Sequence, residues 1–264
     1  MTDPHSIPDP DDLDVVYLSP HLDDAVLSCA GRMADERRRG LRVGIWTIFT
    51  ADEPAEAPSE FAVTLRRWWS RPAGEVMAAR RREDREACAR LDVRPCHGGW
   101  TEAPYRLDAD GRPLYDSLAR LFGAVEGADS GLETELAERF AALAGTRVVA
   151  PLGVGGHVDH ALVRSAALRA GVAAGFYEEF PYVEWKWGAL RRALGRKADW
   201  RSETLPLGEE EVAARIAAIS LYRSQVPALF RTEARLAKQV RRAIRRAGGE
   251  RLWQPRSPRT NGAR

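Results

Sequence analysis

Val15-Val16-Tyr17-Leu18-Ser19-Pro20-His21-Leu22-Asp23-Asp24 decides the fold, because an apolar run gives way there to ionisable side chains. The run at 13–18 is short and rich in β-branched residues, which predicts a buried strand that Pro20 ends. The stretch Ala25 to Arg39 that follows has a helical pattern. A strand, a loop and a helix in this order predict the start of an α/β sheet.

The loop between this strand and this helix is a candidate metal site. In open α/β sheets, ligands bind outside the carboxyl ends of the strands, where His21, Asp23 and Asp24 are expected to lie. An imidazole and a carboxylate are suitable zinc ligands, and a further carboxylate can serve as a base. The alternative is that Asp23 or Asp24 caps the helix and His21 is an ordinary loop histidine.

A second loop far along the chain has the same layout. Gly153 to His160 follows an apolar strand candidate at Thr146 to Ala150 and precedes a helical stretch at Ala161 to Ala173. The chain has only five histidines, and three of them lie in the two loops. Because the loops of a parallel sheet emerge at one edge, the two clusters can converge on one ion. The alternative is that His157 and His160 are loop histidines satisfied by backbone hydrogen bonds.

The remaining pattern predicts a Rossmann-like, doubly wound, mostly parallel sheet with a helical C-terminal extension. The segment Asp52 to Pro72, with Trp68 and Trp69, is expected to be an ordered excursion or a mobile lid. From Glu209 onward the sequence is helical and rich in arginine, which is typical of a solvated amphipathic face. The other predicted elements are strands at Leu41 to Thr50, Val93 to His97 and Gly175 to Tyr177, and helices at Glu75 to Leu91 and Leu132 to Leu143.

Composition is typical of a cytoplasmic enzyme. The 264 residues are 44% hydrophobic, enough for a large core, and the three cysteines favour neither a disulfide framework nor a cysteine zinc site. A net charge of +2 does not indicate nucleic-acid binding. We expect no export signal and no membrane span, and a homo-oligomer is compatible with the sequence.

The two loops together resemble those of the PIG-L family, also called LmbE-like, of zinc-dependent N-acetylglucosamine deacetylases. The segments that carry the resemblance are Ser19-Pro20-His21-Leu22-Asp23-Asp24, His157-Val158-Asp159-His160, Arg80 to Val93, Pro104-Tyr105-Arg106 and Tyr222-Arg223-Ser224-Gln225. The resemblance implies a deacetylase domain at 1–230. Residues 231–264 are then a basic helical extension with a polar tail.

The resemblance also implies roles for individual residues. His21, Asp24 and His160 are expected to hold one Zn²⁺ per chain. Asp23 is expected to be the general base, and His157 the group beside the reacting carbonyl.

A substrate-binding role is implied for Arg80 and Glu102. Glu102 stands where members of the family often carry aspartate, and Leu22 stands where many have proline. A structural ion pair with Glu83 or Glu86 is the competing role for Arg80.

Two histidines and one aspartate would leave zinc with open positions for water and an amide oxygen. Zinc lowers the pKa of bound water toward ~7 and polarises the carbonyl group. Asp23 can then take a proton, while His157, if protonated, can stabilise the oxyanion or deliver a proton to the leaving amine. Asp159 is expected either to orient a histidine or to cap a helix. The expected function is removal of the N-acetyl group from an amino sugar or its glycoconjugate, a small-molecule substrate.

Two alternatives differ in chemistry. One is a zinc amidase that cleaves a larger acyl or thiol conjugate. The other is a non-catalytic sugar- or nucleotide-binding module, of which the dinucleotide version is disfavoured because no G-x-G-x-x-G follows the first strand. Five tryptophans are candidates for stacking on a sugar or an aglycone, or for packing in the core: Trp68, Trp69, Trp100, Trp185 and Trp187.

Overall fold

The computed structural model describes residues 7–68 and 74–256, and within them seven strands form a single mixed sheet. The strands are β1 (Val15–Ser19), β2 (Val43–Phe49), β3 (Arg94–Trp100), β4 (Arg147–Pro151), β5 (Ala173–Tyr177), β6 (Trp200–Leu205) and β7 (Glu250–Pro255). Their order is β3-β2-β1-β4-β5-β7-β6. Strands β1 to β5 pair in parallel, whereas β7 is antiparallel to both β5 and β6.

Helices cover both faces of this sheet. They are α1 (Asp24–Arg38), α2 (Glu60–Trp68), α3 (Val76–Leu91), α4 (Leu118–Leu121), α5 (Ser130–Ala141), α6 (Val158–Ala170), α7 (Tyr182–Trp185), α8 (Ala189–Leu194), α9 (Glu209–Ile219), α10 (Val226–Phe230) and α11 (Glu233–Ala247). Short 3₁₀ helices lie at Pro10–Asp12, Ala103–Tyr105, Gly127–Asp129 and Lys197–Asp199. None of the helices in the described part of the chain is long and apolar enough to cross a membrane.

Strand β1 is buried throughout because helices cover both of its faces. Val15 and Tyr17 pack in one core cluster with side chains of α1, α3 and α9. Val16 and Leu18 point to the other face and pack with side chains of α5 and α6. The alternation follows from the two-residue period of a strand.

The strand order reverses between β1 and β4, and this reversal positions the site. The chain leaves β1 through α1 toward β2 on one side, and leaves β4 through α6 toward β5 on the other. Loops that diverge in this way open a crevice at the carboxyl edge of the sheet. The two histidine-bearing segments therefore face each other across it.

The predicted fold class is confirmed, with differences at particular elements. Helix α6 begins at Val158 and not at Ala161, so His160 lies in its first turn. The excursion at 52–72 contains α2, while Trp69 falls outside the described residues.

The sequence did not predict β6 and β7. Gln254 lies within β7 and not in a polar tail. Strand β7 follows the predicted boundary at residue 230 and pairs with β5, so the sheet draws on both predicted segments.

Candidate metal centre

The carboxylates after β1 do not cap α1. Asp23 stands at the N-cap position, but its side chain makes no capping hydrogen bond. The Oδ2 atom of Asp24 points back and accepts a hydrogen bond from the backbone N–H of His21 at 2.9 Å. Both side chains are buried, so the capping alternative does not account for them.

Three side chains from the two loops meet at one point. Oδ2 of Asp24 lies 3.1 Å from Nδ1 of His21 and 3.2 Å from Nε2 of His160, and the three ligand atoms are within 4.8 Å of one another. Among the described residues, nothing forms a hydrogen bond with the buried Nε2 of His160. Two imidazole nitrogens around one carboxylate oxygen form a donor set that suits a metal ion. These residues therefore fit the expected metal.

Each of the two histidines has a second carboxylate on its other ring nitrogen. Oδ2 of Asp159 lies 2.9 Å from Nε2 of His21, and Oε1 of Glu179 lies 3.2 Å from Nδ1 of His160. A carboxylate that accepts the proton of one ring nitrogen leaves the lone pair of the other nitrogen for a metal. A second group of neighbouring ligand atoms, from His21, His157 and Asp159, shares His21 with the first.

Sequence reasoning missed Glu179. Glu179 follows the carboxyl end of β5, just as His21 follows β1 and His157 follows β4. This position after a strand end is the sequence signal that could have identified Glu179 as a site residue. Its carboxylate also accepts the backbone N–H groups of Gly153 at 2.6 Å and Val154 at 2.9 Å. Glu179 thereby fixes the second histidine-bearing loop as well as His160.

Asp159 orients His21 and does not cap α6. Its Oδ1 atom accepts a hydrogen bond from Arg106 at 2.7 Å, and its Oδ2 atom accepts the backbone N–H of Ala103 at 3.1 Å. Although burial raises the pKa of this carboxyl, Arg106 and the bond from His21 hold it well below its usual range. Arg106 also pairs with Asp129 at 2.9 Å, which anchors the Pro104-Tyr105-Arg106 segment beside the site.

Asp23 lines the cavity next to Asp24. Burial and the neighbouring Asp24 carboxylate raise its pKa to about 8. A cation bound by Asp24 would oppose both effects and favour the ionised form.

His157 is the N-cap residue of α6, and its Nδ1 atom accepts the backbone N–H of Asp159 at 3.2 Å. Burial lowers the pKa of His157 well below its usual range, so its ring is neutral. With Nδ1 engaged as an acceptor, the proton lies on Nε2, which makes that atom a donor. A backbone hydrogen bond, the alternative role for this loop histidine, therefore accounts for Nδ1 of His157 but not for Nε2.

Arg80 and Glu102 form a buried ion pair at 2.7 Å on the wall of the same cavity. The charge of Arg80 acts on Asp23, where it opposes the rise in pKa. Glu83 accepts hydrogen bonds from the hydroxyl and backbone N–H of Ser224.

The cavity above these groups has a volume of about 310 Å³. It is lined by His21, Asp23, Asp24, Leu27, Leu65, Arg80, Glu102, Pro104, Leu118, Leu121, Phe122, His157, Pro181, Tyr182, Gln225, Ala228 and Leu229. Trp100 packs in the core against Trp46, and the exposed Trp185 and Trp187 are not among the lining residues. Seven groups with roles expected from the sequence are therefore at or beside this cavity: His21, Asp23, Asp24, Arg80, Glu102, His157 and His160.

The fold and the site together place this protein in a class: proteins with an open α/β sheet and a His-Asp-His group at the switch point of the sheet. Residues 16–171, more than half of the chain, match the PIG-L family, described as GlcNAc-PI de-N-acetylase. The chain belongs to this family, which confirms the resemblance found in the sequence.

Characterised relatives carry deacetylase names. The 2'-N-acetylparomamine deacetylase of Streptomyces fradiae is 33% identical over 179 residues, which are 64% of this chain and 57% of that protein. The chain thus spans little more than half the length of this relative. The 2'-N-acetylparomamine deacetylase of Niallia circulans is 30% identical over 238 residues, with 83% of each protein covered.

A solved structure extends the similarity to the fold. The zinc-inhibited form of a teicoplanin deacetylase is 28% identical and matches with a TM-score of 0.75. The match covers 90% of this chain and 96% of the other.

Proposed function

We propose that this protein hydrolyses the N-acetyl amide of an amino sugar or its glycoconjugate with the help of a bound metal ion. The observation that carries the proposal is the convergence of His21, Asp24 and His160 beside Asp23 and His157, which line the same cavity. The names of the two relatives and of the solved neighbour support deacetylation as the reaction.

His21, Asp24 and His160 would hold the metal, and zinc is the ion that we propose for this set, one per chain. When bound there, zinc supplies a Lewis acid for the amide carbonyl and increases the acidity of water. The orienting carboxylates Asp159 and Glu179 support the assignment, because metal-binding histidines commonly donate their second N–H to such groups.

Asp23 is the proposed general base. Its carboxylate lines the cavity beside a ligand, and its side chain makes no capping bond to α1. It can therefore take a proton from the attacking water. His157 is proposed to donate a hydrogen bond from Nε2–H to the carbonyl oxygen as negative charge develops there. To pass a proton to the leaving amine, its ring would first have to take up a proton and become an imidazolium.

Arg80 and Glu102 are proposed to hold the sugar. Both line the cavity, and a guanidinium donates hydrogen bonds while a carboxylate accepts them. Sugar hydroxyls can bind to such positions, which would place the N-acetyl group toward Asp23.

The test is acetate release from an N-acetylglucosaminide by protein loaded with zinc. We expect activity that a chelator abolishes and added metal restores. The titration should extend from substoichiometric zinc to excess, since the solved neighbour is described as a zinc-inhibited form. Release of a larger acid from other amides, with no acetate, would indicate the amidase alternative. Sugar binding without hydrolysis would indicate the binding module.

The Asp23→Asn variant tests the base. We expect its kcat to fall by about 10²–10⁴-fold, the usual contribution of proton transfer, while metal content is unchanged. Asp24→Asn is the matched control one position along the chain, and it should lose metal as well as activity. Full activity in Asp23→Asn would overturn the assignment of the base.

A further inference from the structure

The floor of the cavity carries ionisable groups, whereas most of its walls are apolar. The ionisable lining groups belong to the metal centre and to the Arg80–Glu102 pair. Most of the remaining lining side chains are apolar, and they come from α2, α4, α7 and α10 and from the residue that follows α4. The main ones are Leu65, Leu118, Leu121, Phe122, Tyr182 and Leu229.

The apolar surface continues out of the cavity into solvent. Leu118 lines the cavity and is still 51% exposed, so it marks the mouth. Tyr182, which also lines the cavity, makes an edge contact with Trp185, whose side chain is 46% exposed. Exposed leucine and tryptophan side chains next to a cavity are typical of a binding surface and not of a solvated rim.

Charge in the walls distinguishes two kinds of aglycone. Among the described lining residues, the carboxylates are Asp23, Asp24 and Glu102. Asp24 faces the two histidines, and Glu102 is paired with Arg80. Outside the metal centre and the Arg80–Glu102 pair, the described lining residues offer no carboxylate to compensate the ammonium groups of a polycationic aglycone for the water they lose, whereas an apolar aglycone needs none.

We propose that the group attached to the N-acetylated sugar is apolar, either alkyl or aromatic, and that it lies against the apolar part of the lining that includes Leu118 and Tyr182. This inference rests on the proposed deacetylase function. It specifies the chemistry of the aglycone, which the metal centre by itself does not define.

The experiment compares three substrates with the zinc-loaded full chain: methyl N-acetylglucosaminide, hexyl N-acetylglucosaminide and 2'-N-acetylparomamine. Each methylene that leaves water favours binding by a factor of about four. With two of the five additional methylenes buried, kcat/KM should be about 16-fold higher for the hexyl than for the methyl glycoside. The polycationic substrate should be the poorest of the three.

The Leu118→Asp variant places a carboxylate at the mouth. It should remove most of the hexyl preference and raise kcat/KM for 2'-N-acetylparomamine. Leu168→Asp is the matched control, because Leu168 lies on α6, is 45% exposed and does not line the cavity. Thermal unfolding of both variants checks that they are folded.

The outcomes separate this inference from the proposed function. Equal kcat/KM for the methyl and hexyl glycosides, or a preference for 2'-N-acetylparomamine, would overturn the apolar aglycone while leaving deacetylation intact. A hexyl preference that Leu118→Asp and Leu168→Asp change equally would overturn the location. No acetate from any substrate would overturn the proposed function, and this inference with it.

Discussion

Each histidine of the candidate metal centre uses its two ring nitrogens for different partners. His160 turns Nε2 toward Asp24 and Nδ1 toward Glu179, and His21 turns Nδ1 toward Asp24 and Nε2 toward Asp159. The outer carboxylates stabilise the tautomers that have a lone pair on the inner nitrogens. Metal affinity should therefore depend on residues that do not touch the metal.

Glu179→Gln tests this dependence. We expect metal affinity to fall by about 10–100-fold, because the amide no longer accepts the His160 proton as strongly and can present an N–H group to it. Competition with a chromophoric chelator measures the affinity. The control is Glu178→Gln, since the Glu178 carboxylate binds Arg251 and Trp253 away from the metal centre. Equal affinity in the two variants would argue against the orienting role.

At the scale of elements, one buried carboxylate joins β7 to two helices. Glu250 of β7 accepts the backbone N–H groups of Gly31 at 3.0 Å and Arg32 at 2.7 Å in α1, and it pairs with Arg215 of α9 at 3.1 Å. Both side chains of this pair are almost completely buried. Removal of one partner leaves an uncompensated charge in the interior.

Glu250→Ala should therefore lower the free energy of unfolding by about 3–5 kcal/mol. Urea denaturation followed by circular dichroism measures the change. Glu86→Ala is the comparison, because the pair between Glu86 and Arg223 is exposed and such pairs contribute about 0–1 kcal/mol. A loss below 1 kcal/mol in Glu250→Ala would show that the buried pair does not hold β7 in place.

At the scale of the whole molecule, the sheet is assembled from distant parts of the chain. Strand β7 inserts between β5 and β6, and among the described strands β6 pairs only with β7. Helix α11 adds Leu236, Val240 and Ile244 to the same core cluster as β1. Parts of the chain on both sides of residue 230 thus contribute to one core.

A fragment of residues 1–230 should not fold cooperatively, since β5 would lose a neighbour and β6 its partner. Urea unfolding and size-exclusion chromatography provide the measurement. A chain that ends at Arg256 keeps every described C-terminal residue and serves as the control. Cooperative unfolding of the 1–230 fragment with intact metal binding would instead support a domain boundary at residue 230.

Much of the fold and the site could be predicted because their signals are local. An apolar strand, a break and a helix are visible in a short window, as around Pro20, and they place the adjoining ionisable residues at a sheet edge. Prediction was poorer for β6 and β7. Strand β6 is largely solvent-exposed and lacks an apolar run, and β7 follows an arginine-rich helix closely.

The sequence by itself determined the parallel α/β core, the two histidine-bearing loops and the family. Only the tertiary structure decided that Glu179 orients His160, that Arg106 holds Asp159, and that Arg80 pairs with Glu102. It also decided that β7 completes the sheet. The physical reason is range: periodicity and strand-end placement are properties of neighbouring residues, whereas these pairings join side chains 19 to 53 positions apart, which no local pattern specifies.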